Sequence, residues 1–104
     1  MGNYRGRLDI IADILHVVSG NAKKTQIMYQ ANLSYQVLQK YLAEITGASL
    51  ICFEGGKRCY ILTDKGREFL DAYEEYSKTN RHVEKRLNDV RSKKNVLEKL
   101  CSSE

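Results

Sequence analysis

The side chains able to do chemistry in this chain are few, and most of them carry positive charge. Ser34-Tyr35-Gln36 is followed by Gln39 and Lys40, and Lys57-Arg58 and Lys23-Lys24 form two further basic pairs. Glutamine amides can pair bidentately with adenine. Lysine and arginine meet phosphates or guanine, and serine and tyrosine hydroxyls bond phosphate oxygens. The absence of arginine between Ser34 and Thr46 favours backbone-dominated contacts, while Gln36 and Gln39 leave base readout open.

Covalent and metal chemistry find less support. The chain lacks a phosphate-cradling glycine loop, a Gly-x-Ser-x-Gly elbow and an HExxH pair, and no catalytic residues are expected. Asp9 and Asp13 share a helix face and read as structural, and His16 reads as a partly buried packing residue. Cys52 and Cys59 flank Gly55-Gly56. With those glycines as a two-residue hairpin loop, Glu54 pairs with Lys57, Phe53 with Arg58 and Cys52 with Cys59. The cysteines then stand within disulfide reach. The favoured reading is two small residues packing under the hairpin, and a redox pair is the alternative. Only His16 and His82 remain as distant further ligands, so no metal site and no cofactor are expected.

The elements that must position these residues follow from pattern. Leu8, Ile11, Ile14, Leu15 and Val18 form one stripe of a helix from Arg7 to Ser19, which Gly20-Asn21 closes in the left-handed region. Thr25 is the expected cap of a short second helix with Ile27, Met28 and Ala31 inward. Asn32-Leu33 breaks it. Ser34 caps a third helix, Tyr35 to Thr46, with Leu38, Tyr41, Leu42 and Ile45 inward and Gly47 as its C′ residue. Leu50 to Phe53 and Arg58 to Leu62 read as a hairpin. Thr63 caps a last helix beginning at Asp64-Lys65.

That last helix is long. Tyr73, Asn80, Leu87, Lys94 and Cys101 fall at heptad a positions, and Phe69, Tyr76, Val83, Val90 and Leu97 at d positions. Sustained heptads predict a coiled coil. A continuous helix from Asp64 to Cys101 would run roughly 57 Å at about 1.5 Å per residue. It is too long to bury its stripe on the small unit before it and needs a partner helix. Arg67 to Ser77 carries a net −3, and Lys78 to Lys94 a net +5. An antiparallel pair sets these blocks opposite one another, with Glu74 and Glu75 near Lys93 and Lys94, whereas a parallel pair sets like against like. The basic block could also touch DNA. The expected organisation is a unit over 1–76 and a C-terminal dimerisation arm over 77–104.

The order helix, helix, turn, helix, two-stranded wing, helix is that of a winged helix: α+β, mainly α. The runs Lys24-Thr25-Gln26-Ile27-Met28-Tyr29-Gln30-Ala31-Asn32-Leu33-Ser34-Tyr35 and Leu62-Thr63-Asp64-Lys65-Gly66-Arg67-Glu68-Phe69-Leu70 resemble a small archaeal winged-helix family. That family includes ten-kilodalton basic chromatin-type proteins. The resemblance implies a homodimer paired through an antiparallel coiled coil, with two separated winged helices that bind double-stranded DNA. It implies a transcription regulator or chromatin-associated protein, cytoplasmic and on the nucleoid. A winged helix that has lost DNA binding and serves as a protein-interaction adaptor is the alternative.

Size and charge agree with this reading. The chain has 104 residues, 17 Lys+Arg against 13 Asp+Glu, no Pro, no Trp and three Cys. It is too short for a multidomain enzyme, its apolar runs are too short for a membrane span, and its odd cysteine count argues against a secreted disulfide scaffold. The run from Met1 to Arg5 lacks a signal-peptide core, which predicts an intracellular protein.

Overall fold

The computed structural model describes residues 5–102. The leader reading on Met1 to Tyr4 lies outside them. The elements are α1 (Arg7–Val18), α2 (Lys24–Gln30), α3 (Tyr35–Gly47), β1 (Ile51–Glu54), β2 (Cys59–Leu62) and α4 (Asp64–Cys101). The chain divides into two compact units, Met1–Tyr73 and Glu74–Glu104, and α4 contributes to both. No helix among the described residues is long and apolar enough to cross a membrane.

The first unit is built on apolar stripes at helical spacing. Ile14, Leu15 and Val18 of α1, Ile27 of α2, Leu38 and Ile45 of α3, and Ile51 of β1 are its largest fully buried side chains. Leu8 is exposed, so the inward stripe of α1 starts at Ile11. His16 is also exposed. It lies off that stripe, which corrects the expectation of a partly buried packing residue.

Helix ends follow from the first apolar residue that must enter the core. The expected Thr25 cap moves back to Lys23, which caps α2 through backbone geometry without a side-chain bond. Asn32 closes α2 at φ 55°, and the Leu33 N–H bonds the Met28 carbonyl at 3.0 Å. Gly47 is not the C′ residue of α3. It stays helical, and Ser49 takes the left-handed conformation at φ 63°. The N–H groups of Leu50 and Ser49 bond the carbonyls of Ile45 (2.9 Å) and Thr46 (3.0 Å), a Schellman closure. The buried Leu50 sets this endpoint, not the glycine.

The hairpin also departs from the two-residue reading. β1 and β2 pair antiparallel as Ile51↔Leu62, Cys52↔Ile61, Phe53↔Tyr60 and Glu54↔Cys59, leaving Gly55 to Arg58 as a four-residue loop. Neither glycine is left-handed, and Arg58 takes that conformation at φ 52°. Cys52 therefore does not face Cys59. Cys52 is exposed and Cys59 buried, both as free thiols. The register gains from the Phe53 and Tyr60 rings, which meet edge-on at 5.1 Å between centroids. Ala22 adds a single bridge to Tyr60, with bonds of 3.2 and 2.7 Å.

α4 starts at a crowded junction. The Thr63 hydroxyl lies 2.7 Å from the Ser49 carbonyl and 2.9 Å from that of Leu50, and it accepts the Gly66 N–H at 3.0 Å. A Cβ on Gly66 would stand 2.2 Å from the Leu50 oxygen and 2.5 Å from Leu62 Cδ1. Further along α4, Phe69 packs on the core and stacks on Tyr73, whose hydroxyl donates to Asp9. Asp9 also accepts the Gly6 N–H at 2.9 Å, tying the start of α1.

Two expectations follow. Gly66→Ala gains at most about 1 kcal/mol of helix propensity but drives a methyl into backbone, so urea melts should show a net loss of about 2 kcal/mol. Gly47→Ala, with open space at its Cβ, should be neutral or gain a few tenths of a kcal/mol (order of magnitude). The second concerns pH. The Tyr73 hydroxyl, then the Gly6 N–H, hold the Asp9 carboxyl below its usual range. The stabilisation is therefore complete above the unfolded-state pKa, about 3.9, and is lost as pH falls through the lower folded value. Chemical denaturation from pH 6 down to pH 2 should show Asp9→Asn removing part of that acid slope.

Candidate nucleic-acid interface

The helix-turn-helix is α2, a turn from Ala31 to Ser34, and α3. Ser34 Oγ accepts the Val37 N–H at 3.3 Å and starts α3 where the sequence places it. Ile27 and Leu38 are buried to nothing. They fix the two helices and turn the opposite face of α3 outward, where Tyr35, Gln36, Gln39 and Lys40 are all exposed.

The turn is held from outside by a residue that sequence reasoning counted only as a base. Arg5 donates to the Ala31 carbonyl at 2.6 Å, to Asn32 at 2.8 Å and to the Asp13 carboxylate at 2.9 Å. The C-terminus of α2 has no basic residue in its last turn, so its free carbonyls were the available signal that a cation must come from elsewhere in the chain.

Lys24 and Tyr35 meet across the motif. The Lys24 ammonium lies 4.6 Å from the Tyr35 ring centroid and 3.4 Å from its hydroxyl. This cation–π contact holds both side chains at the exposed start of α3. Tyr41 is half-buried against the core, and Lys40 reaches to 5.9 Å from its ring. Tyr29 is exposed at 78%.

Eight of the nine bases of the first unit separate into two groups, and the ninth, Arg67, is exposed on α4 and in no ion pair among the described residues. Arg5 pairs with Asp13, Arg7 with Glu44, and Lys65 donates to the Ala48 carbonyl at 2.8 Å. These three serve the fold. Among the described residues, Lys23, Lys24, Lys40, Lys57 and Arg58 enter no ion pair. All five belong to the helix-turn-helix or the wing loop.

The predicted seam residues divide as well. Tyr73 is engaged within the first unit. Tyr76, Val83, Leu87, Val90 and Leu97 are exposed apolar residues, at 49% to 63%. Asn80, Lys94 and Cys101 on the same series are exposed too. Among the described residues, no three His, Cys, Asp or Glu side chains gather into a metal-binding group.

Three helices in this order, a wing after α3 and a single bridge from the α1–α2 loop onto β2 define a winged helix. The winged helix-turn-helix family matches the chain from residue 4 to residue 81, and the chain belongs to that family. Among solved structures it is similar to the crystal structure of Sso10a-2, a DNA-binding protein from Sulfolobus solfataricus. The two are 28% identical, with a TM-score of 0.74 over 83% of this chain and 93% of that one. No curated protein matches the chain.

The wing yields a separable test. A non-glycine residue in the left-handed region costs roughly 1 kcal/mol, so Arg58→Gly should leave the melting temperature unchanged or raised. If Arg58 is a contact residue, nucleic-acid affinity should fall in the same variant.

Proposed function

We propose that this chain is a homodimeric winged-helix protein that binds double-stranded DNA, acting as a transcription regulator or a chromatin-associated protein on the nucleoid. The observation that carries the reading is the division of its bases. Those of the helix-turn-helix and wing enter no ion pair among the described residues, while Arg5, Arg7 and Lys65 bond within the fold and Arg67 stands exposed on α4. The similarity to a DNA-binding protein supports the same reading.

In this mechanism α3 enters the major groove with Gln36 and Gln39 toward base edges. Ser34 and Tyr35 meet the phosphates at its N-terminal turn. Lys40 and the Lys23-Lys24 pair flank the groove, and Lys57-Arg58 ride the backbone at the wing. Arginine is absent from α3, so affinity rests on phosphate contacts and sequence preference on two glutamines.

The dimer is the finer part of the proposal. Exposed Tyr76, Val83, Leu87, Val90 and Leu97 form a seam that a single chain leaves in water. Burying one such side chain is worth about 1.5–3 kcal/mol. The acidic and basic blocks on α4 favour antiparallel pairing. The exposed Asn80 and Lys94 suit register-setting seam positions, at some loss of stability.

Anisotropy with random duplex DNA, titrated across salt, tests the DNA reading. Two winged units with about four phosphate contacts each should contribute about −7 to the log–log slope. Lys40→Ala and Lys57→Ala should each make it shallower by about 1.8 in a dimer. Absence of binding at low salt rejects the reading in favour of a protein-interaction adaptor. Light scattering should give twice the 12.0 kDa chain mass, and Leu87→Glu should return the monomer.

A further inference from the structure

The second unit carries a basic face centred away from the apolar seam, with only His82 at the seam's edge. Lys78, Arg81, His82 and Lys85 are exposed and line one open depression on the helix surface. Their spacing of three, one and three places them within an arc of about 100°, over roughly 10 Å of helix axis. At the same pitch, Tyr76, Val83, Leu87 and Val90 lie on the opposite side. Covering the apolar seam therefore leaves Lys78, Arg81 and Lys85 open, with His82 at the border of the seam.

The face is also unneutralised. The ion pairs among the described residues are Arg5–Asp13 and Arg7–Glu44, so no carboxylate is bonded to Lys78, Arg81 or Lys85. The acids on the same side, Glu74 and Asp89, lie about one turn beyond each end. Helical salt bridges at i, i+4 would be the simplest reason for such a run, and here Glu74 and Lys78, at that spacing, form none.

We propose that Lys78, Arg81, His82 and Lys85 form a second contact surface for the phosphate backbone of duplex DNA, apart from the helix-turn-helix and the wing. This rests on the DNA-binding reading above. The occupant follows from charge and linearity. Duplex DNA presents one negative charge per about 1.7 Å of axis, so a straight row of cations roughly 10 Å long meets several phosphates without needing a sequence. The row has no apolar anchor among its own residues, which a protein partner's hot spot would require. Backbone contacts of this kind add affinity and salt dependence but no base preference.

The test compares the full chain with a Lys78→Ala, Arg81→Ala, Lys85→Ala variant in the same anisotropy titration on random duplex DNA. Each phosphate contact contributes about 0.9 to the slope. Three lost contacts should make it shallower by at least about 2.7, so the affinity change between 50 and 200 mM salt shrinks by about 40-fold. Thermal melting should be unchanged, since the face is exposed and remote from the apolar seam. Lys78→Arg with Lys85→Arg should keep the original slope. An unchanged slope in the triple variant, while Lys40→Ala still makes it shallower, overturns the proposal and leaves the winged helix as the DNA contact. The face would then be open to an acidic protein segment. If the unaltered chain fails to bind DNA at low salt, the underlying reading falls and this surface with it.

Discussion

The structure of the first unit depends on the approach of α4's first turn to the Leu50 carbonyl. Gly66 permits it, because any side chain there would meet that oxygen at 2.2 Å. Thr63 completes it by bonding the carbonyls of Ser49 and Leu50 on one side and the Gly66 N–H on the other. Lys65 adds a bond to Ala48, whose carbonyl lies beyond the end of α3. The end of α3, the entry to β1 and the start of α4 are thereby joined within a few ångströms. This tie at the far end of α3 adds to the burial of Leu38 and Ile45 in holding the helix's outer face. Without that contact the wing would hang from a loose hairpin, and a two-stranded hairpin alone is marginal in water.

Charge is used twice in this molecule. Asp9, Asp13 and Glu44 look like ordinary surface acids, yet each is committed to a named partner: Tyr73 with the Gly6 N–H, Arg5 and Arg7. Arg5 in addition neutralises the carbonyl end of α2, the turn on which the helix-turn-helix pivots. Exposed ion pairs are individually weak, on the order of 0–1 kcal/mol. Their value here is placement, since they tie Arg5 and Arg7 to α1 and α3 and take up Asp13 and Glu44. On the C-terminal segment, Lys78, Arg81 and Lys85 lie on the side of the helix opposite Val83, Leu87 and Val90.

Much of this was legible in the residues. Helix periodicity, the Ser34 and Thr63 caps, the paired apolar runs of the hairpin and the heptads of α4 are local patterns, and local backbone energetics decides them. Ser34 starts α3 and Thr63 starts α4 as read, and the last helix runs from Asp64 to Cys101 without interruption. The winged-helix order therefore follows from elements whose existence needs no knowledge of their neighbours. The exposed bases at Lys23, Lys57 and Arg58 could be named because loops lie at the surface, and Lys40 because it falls off the apolar stripe of α3.

Tertiary contacts decided the rest. Two glycines in a row suggest a two-residue loop, but the ring pair of Phe53 and Tyr60 and the bridge to Ala22 set a register two residues away. That register separates Cys52 from Cys59 and moves the left-handed residue to Arg58. A glycine after Thr46 suggests a helix stop, but burial of Leu50 carries α3 through Gly47 and strains Ser49 instead. Tyr73 fits a seam by heptad arithmetic, but Asp9, far away in sequence, claims its hydroxyl. Periodicity determines which face of an element is apolar. Which neighbour covers that face, and which bonds hold the two together, depends on residues distant in the chain, and only their packing in the folded unit determines it.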